Sequence, residues 1–213
     1  MVCYQAASPV YDSFPGIGAE LSVKVARGMD DILDAVAVRS AVFIGEQSCP
    51  VREELDWNDV SSTHLIAYAG DEPVGATRTR FFANFAQWGR LAVLQNWRGK
   101  GVSSLLAKAA IEVIRDKGYR TVYGQAEGHL LEFYEKLGFR RRKRDVELIF
   151  SGYDFIEIEL DLNLTEFSIS MESDPYTIIR PEGRWHLPGV LEKSAERGVD
   201  PQRSQSVPPL KAS

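Results

Sequence analysis

Residues 87–118, QWGRLAVLQNWRGKGVSSLLAKAAIEVIRDKG, constrain the fold more than any other stretch of the chain. The opening QWGRLAVL carries an apolar run and reads as a strand in a buried, central position. Residues 102–117 read as a helix: Val102, Leu105, Leu106, Ala109, Val113 and Ile114 fall on one stripe, and Gly118 stands where a helix ends. Between the two lie Arg98, Gly99, Lys100 and Gly101, two glycines and two cations at a bare helix start. A strand that runs into a glycine loop and then a helix is a common way to hold phosphate. Backbone N–H groups converge there, and the helix start adds about half a positive charge. The stretch alone leaves three readings open. The G-x-x-x-x-G-K-[ST] pattern is absent. A dinucleotide fingerprint is met at Gly99 and Gly101 but has Ser104 in its third place, with Glu127 standing where a ribose-binding acid would follow. A solvated turn is the third.

The flanking sequence supplies a small α/β domain. LSVKVA (21–26) alternates as a strand does. Residues 29–47 read as a helix with Asp30 and Asp31 near its start and Ile32, Val36, Arg39 and Phe43 near one face. An acidic loop, VREELDWNDVSS, leads to two strands within 63–82 around a turn at Gly70–Asp71, with Gly75 inside the second. A strand over 119–125 follows, then a short amphipathic helix over 130–138, then two closing strands within 146–162 broken at Ser151–Gly152. Residues 1–20, rich in Pro, Gly and Ser, read as an N-terminal arm. Residues 163–199 read as a C-terminal extension without lasting period. It is anchored by Phe167, Tyr176, Ile178, Ile179 and Trp185, and VLEKSAERG forms a short helix within it. Residues 200–213 have the composition of a disordered tail.

Charge and composition exclude several functions. With a net charge of −5 and a pI near 5.3, the chain is not expected to bind nucleic acid non-specifically. Its one basic run, Arg140 to Arg144, reads as a solvated strand start or as a neighbour of a second subunit. No apolar run approaches a membrane span, and the N-terminus lacks a secretory pattern, so a cytoplasmic protein without a membrane partner is expected. Cys3 and Cys49 lack metal-ligand spacing and read as reduced thiols, Cys49 as a packed hydrophobe rather than a nucleophile. No metal is implied.

RLAVLQNWRGKGVSSLLAKA followed by GHLLEFYEKLGF resembles the GNAT superfamily of acetyl-CoA-dependent acetyltransferases. That family's Arg/Gln-x-x-Gly-x-Gly/Ala loop is matched by Arg98, Gly99, Lys100, Gly101 and Val102, with Ser103 in the last place. Its aromatic-Tyr-x-Lys-x-Gly-Phe block is matched by Phe133, Tyr134, Lys136, Gly138 and Phe139. VRSAVFIGEQSCP, THLIAY and PVGATRTR look like one branch of small bacterial GNAT proteins of undefined substrate. That branch's Gly-Ile-Pro-His is replaced here by Gly152, Tyr153, Asp154 and Phe155, so the histidine is lost. The resemblance covers residues 21–162. It implies an α/β GNAT fold: a mixed, mostly antiparallel, splayed sheet flanked by helices.

The resemblance also implies roles. The loop Arg98, Gly99, Lys100, Gly101, Val102 and Ser103 would hold the pyrophosphate of acetyl-CoA, the co-substrate. Leu91, Ala92 and Val93 would pair with its pantetheine arm, and the Val93 N–H would face the thioester carbonyl. Tyr134 would protonate the departing thiolate. From the residues alone, Tyr134 reads as a buried aromatic. The acceptor would be a small amine attacking directly in a ternary complex. The base is open among Glu46, Glu54, Asp56, Glu127, His129 and a water chain. The acidic residues Glu46, Glu53, Glu54, Asp56 and Asp59 either line the acceptor mouth and attract a cationic amine or form a solvated loop. Arg39, Phe43, Glu54, Asp56 and Asp59 also resemble the front half of acyl-homoserine-lactone synthases, and a non-catalytic acyl-CoA sensor is a third reading. The C-terminal extension could join two copies in a homodimer.

Overall fold

The structure, a computed structural model, describes residues 21–144 and 147–200. The expected arm over 1–20 and all but the first residue of the expected tail lie outside the described residues. Strands β1 (Leu21–Val25), β2 (Thr63–Ala69), β3 (Glu72–Phe81) and β4 (Ala86–Val93) form an antiparallel meander. β4 then runs parallel to β5 (Thr121–Glu127), and β5 pairs antiparallel with β8 (Tyr153–Asp161). The far edge of β8 carries β6 (Arg140–Arg141) and β7 (Leu148–Phe150), which completes an eight-stranded sheet. The helices are α1 (Met29–Arg39), α2 (Val51–Glu54), α3 (Val102–Asp116), α4 (Leu131–Glu135), α5 (Pro175–Ile179) and α6 (Val190–Glu196).

The sheet splits at its centre. β4 and β5 pair only from Ala86–Trp88 to Val122–Gly124. Beyond that point β4 bulges: Arg78 faces Gly89 and Ala76 faces Ala92, so Thr77 is opposed by both Arg90 and Leu91. Arg90 adopts φ +54° to make the turn. Thr77 fixes the bulge, because its hydroxyl donates to the Gly89 carbonyl at 2.9 Å and accepts from the Trp88 indole N–H at 2.7 Å.

Two layers of helix cover the sheet. α3 buries Leu106, Ala107, Ala110, Val113 and Ile114 with Val23, Leu65, Val74, Trp88, Val122 and Ile158. Gly75 permits the approach: a Cβ there would stand 2.8 Å from Val102 Cγ1 and 2.9 Å from Leu106 Cδ1. On the opposite face α1 lays Ala35 and Val38 on Ile66, Ala76 and Ala92.

Several expectations change. The helix expected over 29–47 is α-helical only to Arg39 and continues as a π-helical segment, Ser40–Glu46. Its buried residues are Ala35, Val38, Arg39 and Val42; of the expected face only Arg39 is among them, while Ile32, Val36 and Phe43 are half-buried. The extension folds back on its own domain at the C-terminal end of α3. The Ile169 N–H donates to the Asp116 carbonyl at 2.7 Å, Trp185 is buried in the main core, and Gly183 lies against Val25. Of the five anchors expected there, only Trp185 is buried; Phe167, Tyr176, Ile178 and Ile179 remain exposed. The basic run is the exposed strand start expected of it, and three of its arginines also form ion pairs. Arg140 pairs with Glu159 and Asp161, Arg142 with Glu159, and Arg144 with Glu157, all along the acidic edge of β8.

Candidate active site

Where β4 and β5 part, two clefts meet. One, of about 330 Å³, lies under the start of α3 and is lined by Leu91, Ala92, Val93, Arg98, Gly99, Val102, Ser103 and Phe133 among others. The other, of about 360 Å³, opens on the far side and is lined by Arg78, Arg80, Gln87, Arg90, Gln125, Glu127 and the β7–β8 turn. Gln47, Leu91, Leu130 and Tyr134 line both.

The first cleft is built by the glycine loop. Gly99 and Gly101 take φ +74° and +84°, a region that side chains rarely enter, and Gly101 caps α3. The first turn of α3 has no preceding carbonyls to satisfy its N–H groups, which leaves donors at the cleft. The loop cations are engaged elsewhere. Lys100 rests 4.6 Å over the Trp97 ring, and Arg98 donates to the Val93 carbonyl at 3.0 Å and pairs with Glu46.

Tyr134 stands between the clefts. Trp88, Phe133 and Phe139 meet its ring edge-to-face at 5.2–5.8 Å and leave it 9% exposed. Burial and the nearby Glu127 charge push its phenol up to about 12.

The GNAT-family model of acetyltransferases matches residues 34–139. The "uncharacterized N-acetyltransferase YjcF" of Bacillus subtilis is 34% identical over 116 residues, 54% of this chain and 83% of that protein. The chain belongs to the GNAT acetyltransferase family. The fold agrees. Escherichia coli ElaA superposes with a TM-score of 0.59 at 22% identity over 66% of this chain and 99% of that one. A Bacillus subtilis acetyltransferase solved in complex with CoA gives 0.52 at 21% identity over 68% and 100%.

The acidic loop of this GNAT chain is a buried ion network, not a solvated face. Arg39, 0% exposed, donates through Nε to Glu54 at 2.6 Å and through Nη1 to Asp59 at 2.6 Å. Arg78 holds Asp56 through two 2.7 Å bonds and reaches Asp59 at 3.0 Å. Arg90 lies 3.0 Å from Glu54 and 3.4 Å from Asp56. Three cations meet three anions, so Glu54, Asp56 and Asp59 offer no uncompensated charge to attract a cation. Of the residues that resembled an acyl-homoserine-lactone synthase, Arg39 is thus paired with Glu54 and Asp59, and Asp56 with Arg78 and Arg90. Arg78 and Arg39 hold Asp56 and Asp59 well below the usual carboxylate range, whereas burial pushes Glu54 up. His64, held low by burial, sits with Nε2 2.9 Å from the Asp59 carbonyl.

The base candidates are dispersed. Glu46 is tied to Arg98, and Glu54 and Asp56 to the network. Glu127 lines the second cleft beside Tyr134, and no arginine among the described residues holds it; its neighbour is His129, 3.4 Å away and largely exposed. Cys49 is buried with Sγ 3.0 Å from the Ser151 hydroxyl, which donates to Glu53 at 2.6 Å. Among the described residues no group of His, Cys, Asp and Glu has the arrangement of a metal site, and no helix is long and apolar enough to cross a membrane. Sequence reasoning missed Arg78 and Arg90 altogether. Arg39 carried a signal, a cation within an apolar helix face.

Proposed function

We propose that the chain transfers acetyl from acetyl-CoA to the amine of a small molecule by direct attack in a ternary complex. The observation that carries this reading is that Tyr134 belongs to both clefts, one with the phosphate-holding loop and one open to an acceptor.

The pyrophosphate would sit on the loop 98–103, where Arg98 exchanges the Val93 carbonyl and Glu46 for phosphate oxygens. The pantetheine arm would pair with Leu91, Ala92 and Val93, the strand edge that β5 has left unpaired. The amine nitrogen attacks the thioester carbon, and the carbonyl oxygen takes up charge opposite the Val93 N–H. The C–S bond then breaks, and Tyr134 donates its proton to the sulfur. Because its phenol lies at about 12, Tyr134 enters the step protonated. Glu127 is the carboxylate best suited to take the amine proton, since it lines the acceptor cleft without an arginine partner among the described residues. Its charge helps keep Tyr134 protonated. A sensor that only bound the coenzyme would have no use for a hydroxyl between the clefts.

The test is an acetyl-CoA titration by calorimetry, followed by thiol release with primary amines. The wild type should bind, whereas Gly101→Glu should not, because a carboxylate and a strained φ would occupy the phosphate position. Equal affinity in the two proteins refutes the phosphate site. Thiol release that no amine accelerates refutes transfer.

A further inference from the structure

The acceptor cleft carries one positive charge that no carboxylate among the described residues balances. Its arginines Arg78 and Arg90 are held by Asp56, Asp59 and Glu54. Arg80, half-buried on β3, meets only the Phe82 ring at 4.9 Å, and no carboxylate among the described residues pairs with it. Glu157 of β8, outside the cleft lining, accepts from the Tyr123 hydroxyl at 2.9 Å and from Arg144 at 3.2 Å. Beside Arg80 stands Gln87, its partner on β4, and Gln87 in turn faces Tyr123 on β5, two residues from Gln125. Both amides line the cleft with Arg80. This end of the cleft is therefore rich in donors and cationic.

The other end is different. Glu127 lies four residues beyond Tyr123 on β5, about 13 Å along the strand before side-chain reach is subtracted. It lines the cleft next to Tyr134, and its charge acts on that phenol. Phe150 of β7 and Tyr153 and Phe155 of β8 complete the wall between the ends.

Resting on the reading of this cleft as the acceptor side, we propose that the acceptor is an amine carrying an anionic oxyacid at its far end. The amine meets Glu127 and Tyr134, a flat apolar body lies along the aromatic wall, and the oxyacid meets Arg80 with Gln87 and Gln125. A guanidinium presents a planar fork that matches carboxylate and phosphate alike, so the two share this site. A second ammonium would be placed against Arg80 and rejected by like charge.

Four probes sharing one benzylamine body test this: 4-(aminomethyl)benzoate, (4-(aminomethyl)phenyl)phosphonate, benzylamine and 1,4-bis(aminomethyl)benzene. Binding is read by saturation-transfer NMR with and without CoA, and transfer by thiol release from acetyl-CoA. The two anionic probes should bind best and exceed the others in kcat/KM by at least about tenfold. The carboxylate and phosphonate arms then distinguish which oxyacid the site prefers. Arg80→Gln should erase the margin, Arg80→Lys should keep part of it, and acetyl-CoA affinity should be unchanged in both. Melting curves check that both variants are folded. A diamine or benzylamine that matches the anionic probes overturns the proposal, as does a margin that survives in Arg80→Gln. If acetyl-CoA fails to bind, the proposed activity falls, but the NMR comparison still decides the anion site. Equal binding of all four probes, or binding of none, refutes it.

Discussion

Replacing Arg39 with leucine should destabilise the domain by about 3–5 kcal/mol, the range for breaking a buried ion pair from one side. Its guanidinium is 0% exposed, and two of its nitrogens each stand 2.6 Å from a carboxylate oxygen. Without it, Glu54, 1% exposed, keeps only Arg90 at 3.0 Å, and Asp59 keeps Arg78 at 3.0 Å. An exposed salt bridge would be worth at most about 1 kcal/mol, so the measurement separates a buried network from a solvated acidic loop. Urea unfolding at neutral pH gives the free energy directly. The melting temperature should drop by about 6–20 °C, at about 2–4 °C per kcal/mol for a chain of this size. The double variant Arg39→Leu with Glu54→Leu removes the stranded carboxylate along with its partner and should recover much of the loss. A single variant costing under about 1 kcal/mol, or a double variant no more stable than the single, would refute the reasoning.

Other outcomes follow from the same geometry. Tyr134→Phe should lower turnover about 10²–10³-fold while acetyl-CoA affinity changes little; because burial holds the phenol near 12, the alkaline side of the wild-type profile below that pH belongs to other groups. Wild-type turnover in that variant would remove Tyr134 from the chemistry. Deleting residues 164–213 should lower the melting temperature, since Trp185 leaves the core, and Trp185→Ala alone should cost about 3–5 kcal/mol; deleting 201–213 should change neither. Stability should fall as pH drops below about 6.5, because unfolded chains take up a proton that the buried, neutral His64 resists. It should fall again below about 4, where unfolded chains take up protons that native Asp56 and Asp59, whose values are depressed, resist. His64→Gln should flatten the first step in denaturant titrations.

The strand–loop–helix of residues 87–118 was legible because its signals are local: an apolar run, two glycines, a stripe at helical spacing and a glycine stop. The residues proposed for the coenzyme, 91–93 and 98–103, are near one another in the chain, so one local motif suggests them and brings them to one cleft; Tyr134 comes from a separate helix. The ion network was hidden for the opposite reason. Arg39 meets carboxylates 15 and 20 positions away, and Arg78 meets partners 19 and 22 positions back, on separate elements. Composition records such residues as charges without recording how they pair. The π-helical segment was also illegible: it advances the register after Arg39, and a helical period of 3.6 cannot anticipate the change. In the extension, apolar residues promised burial that only Trp185 receives.

The network and the bulge are best understood together. Arg90 occupies the turn of the bulge at φ +54°, and the next three residues carry the strand edge proposed for pantetheine. Such a conformation costs free energy in a non-glycine residue and persists only where its surroundings enforce it. Here they do. The Arg90 guanidinium lies 3.0 Å from Glu54, donates to the Glu53 carbonyl at 2.8 Å and stacks 4.9 Å over Phe150 of β7. Glu54 is in turn held by Arg39 of α1, and Arg78 joins β3 to the same loop. One set of charges therefore links α1, the acidic loop, β3 and β4 at the point where the sheet opens. Residues that could have been taken as a lure for a cationic substrate instead hold the bulge in shape and form one wall of the acceptor cleft. Under the proposal above, charge selection falls to side chains outside the network, Arg80 at one end and Glu127 at the other.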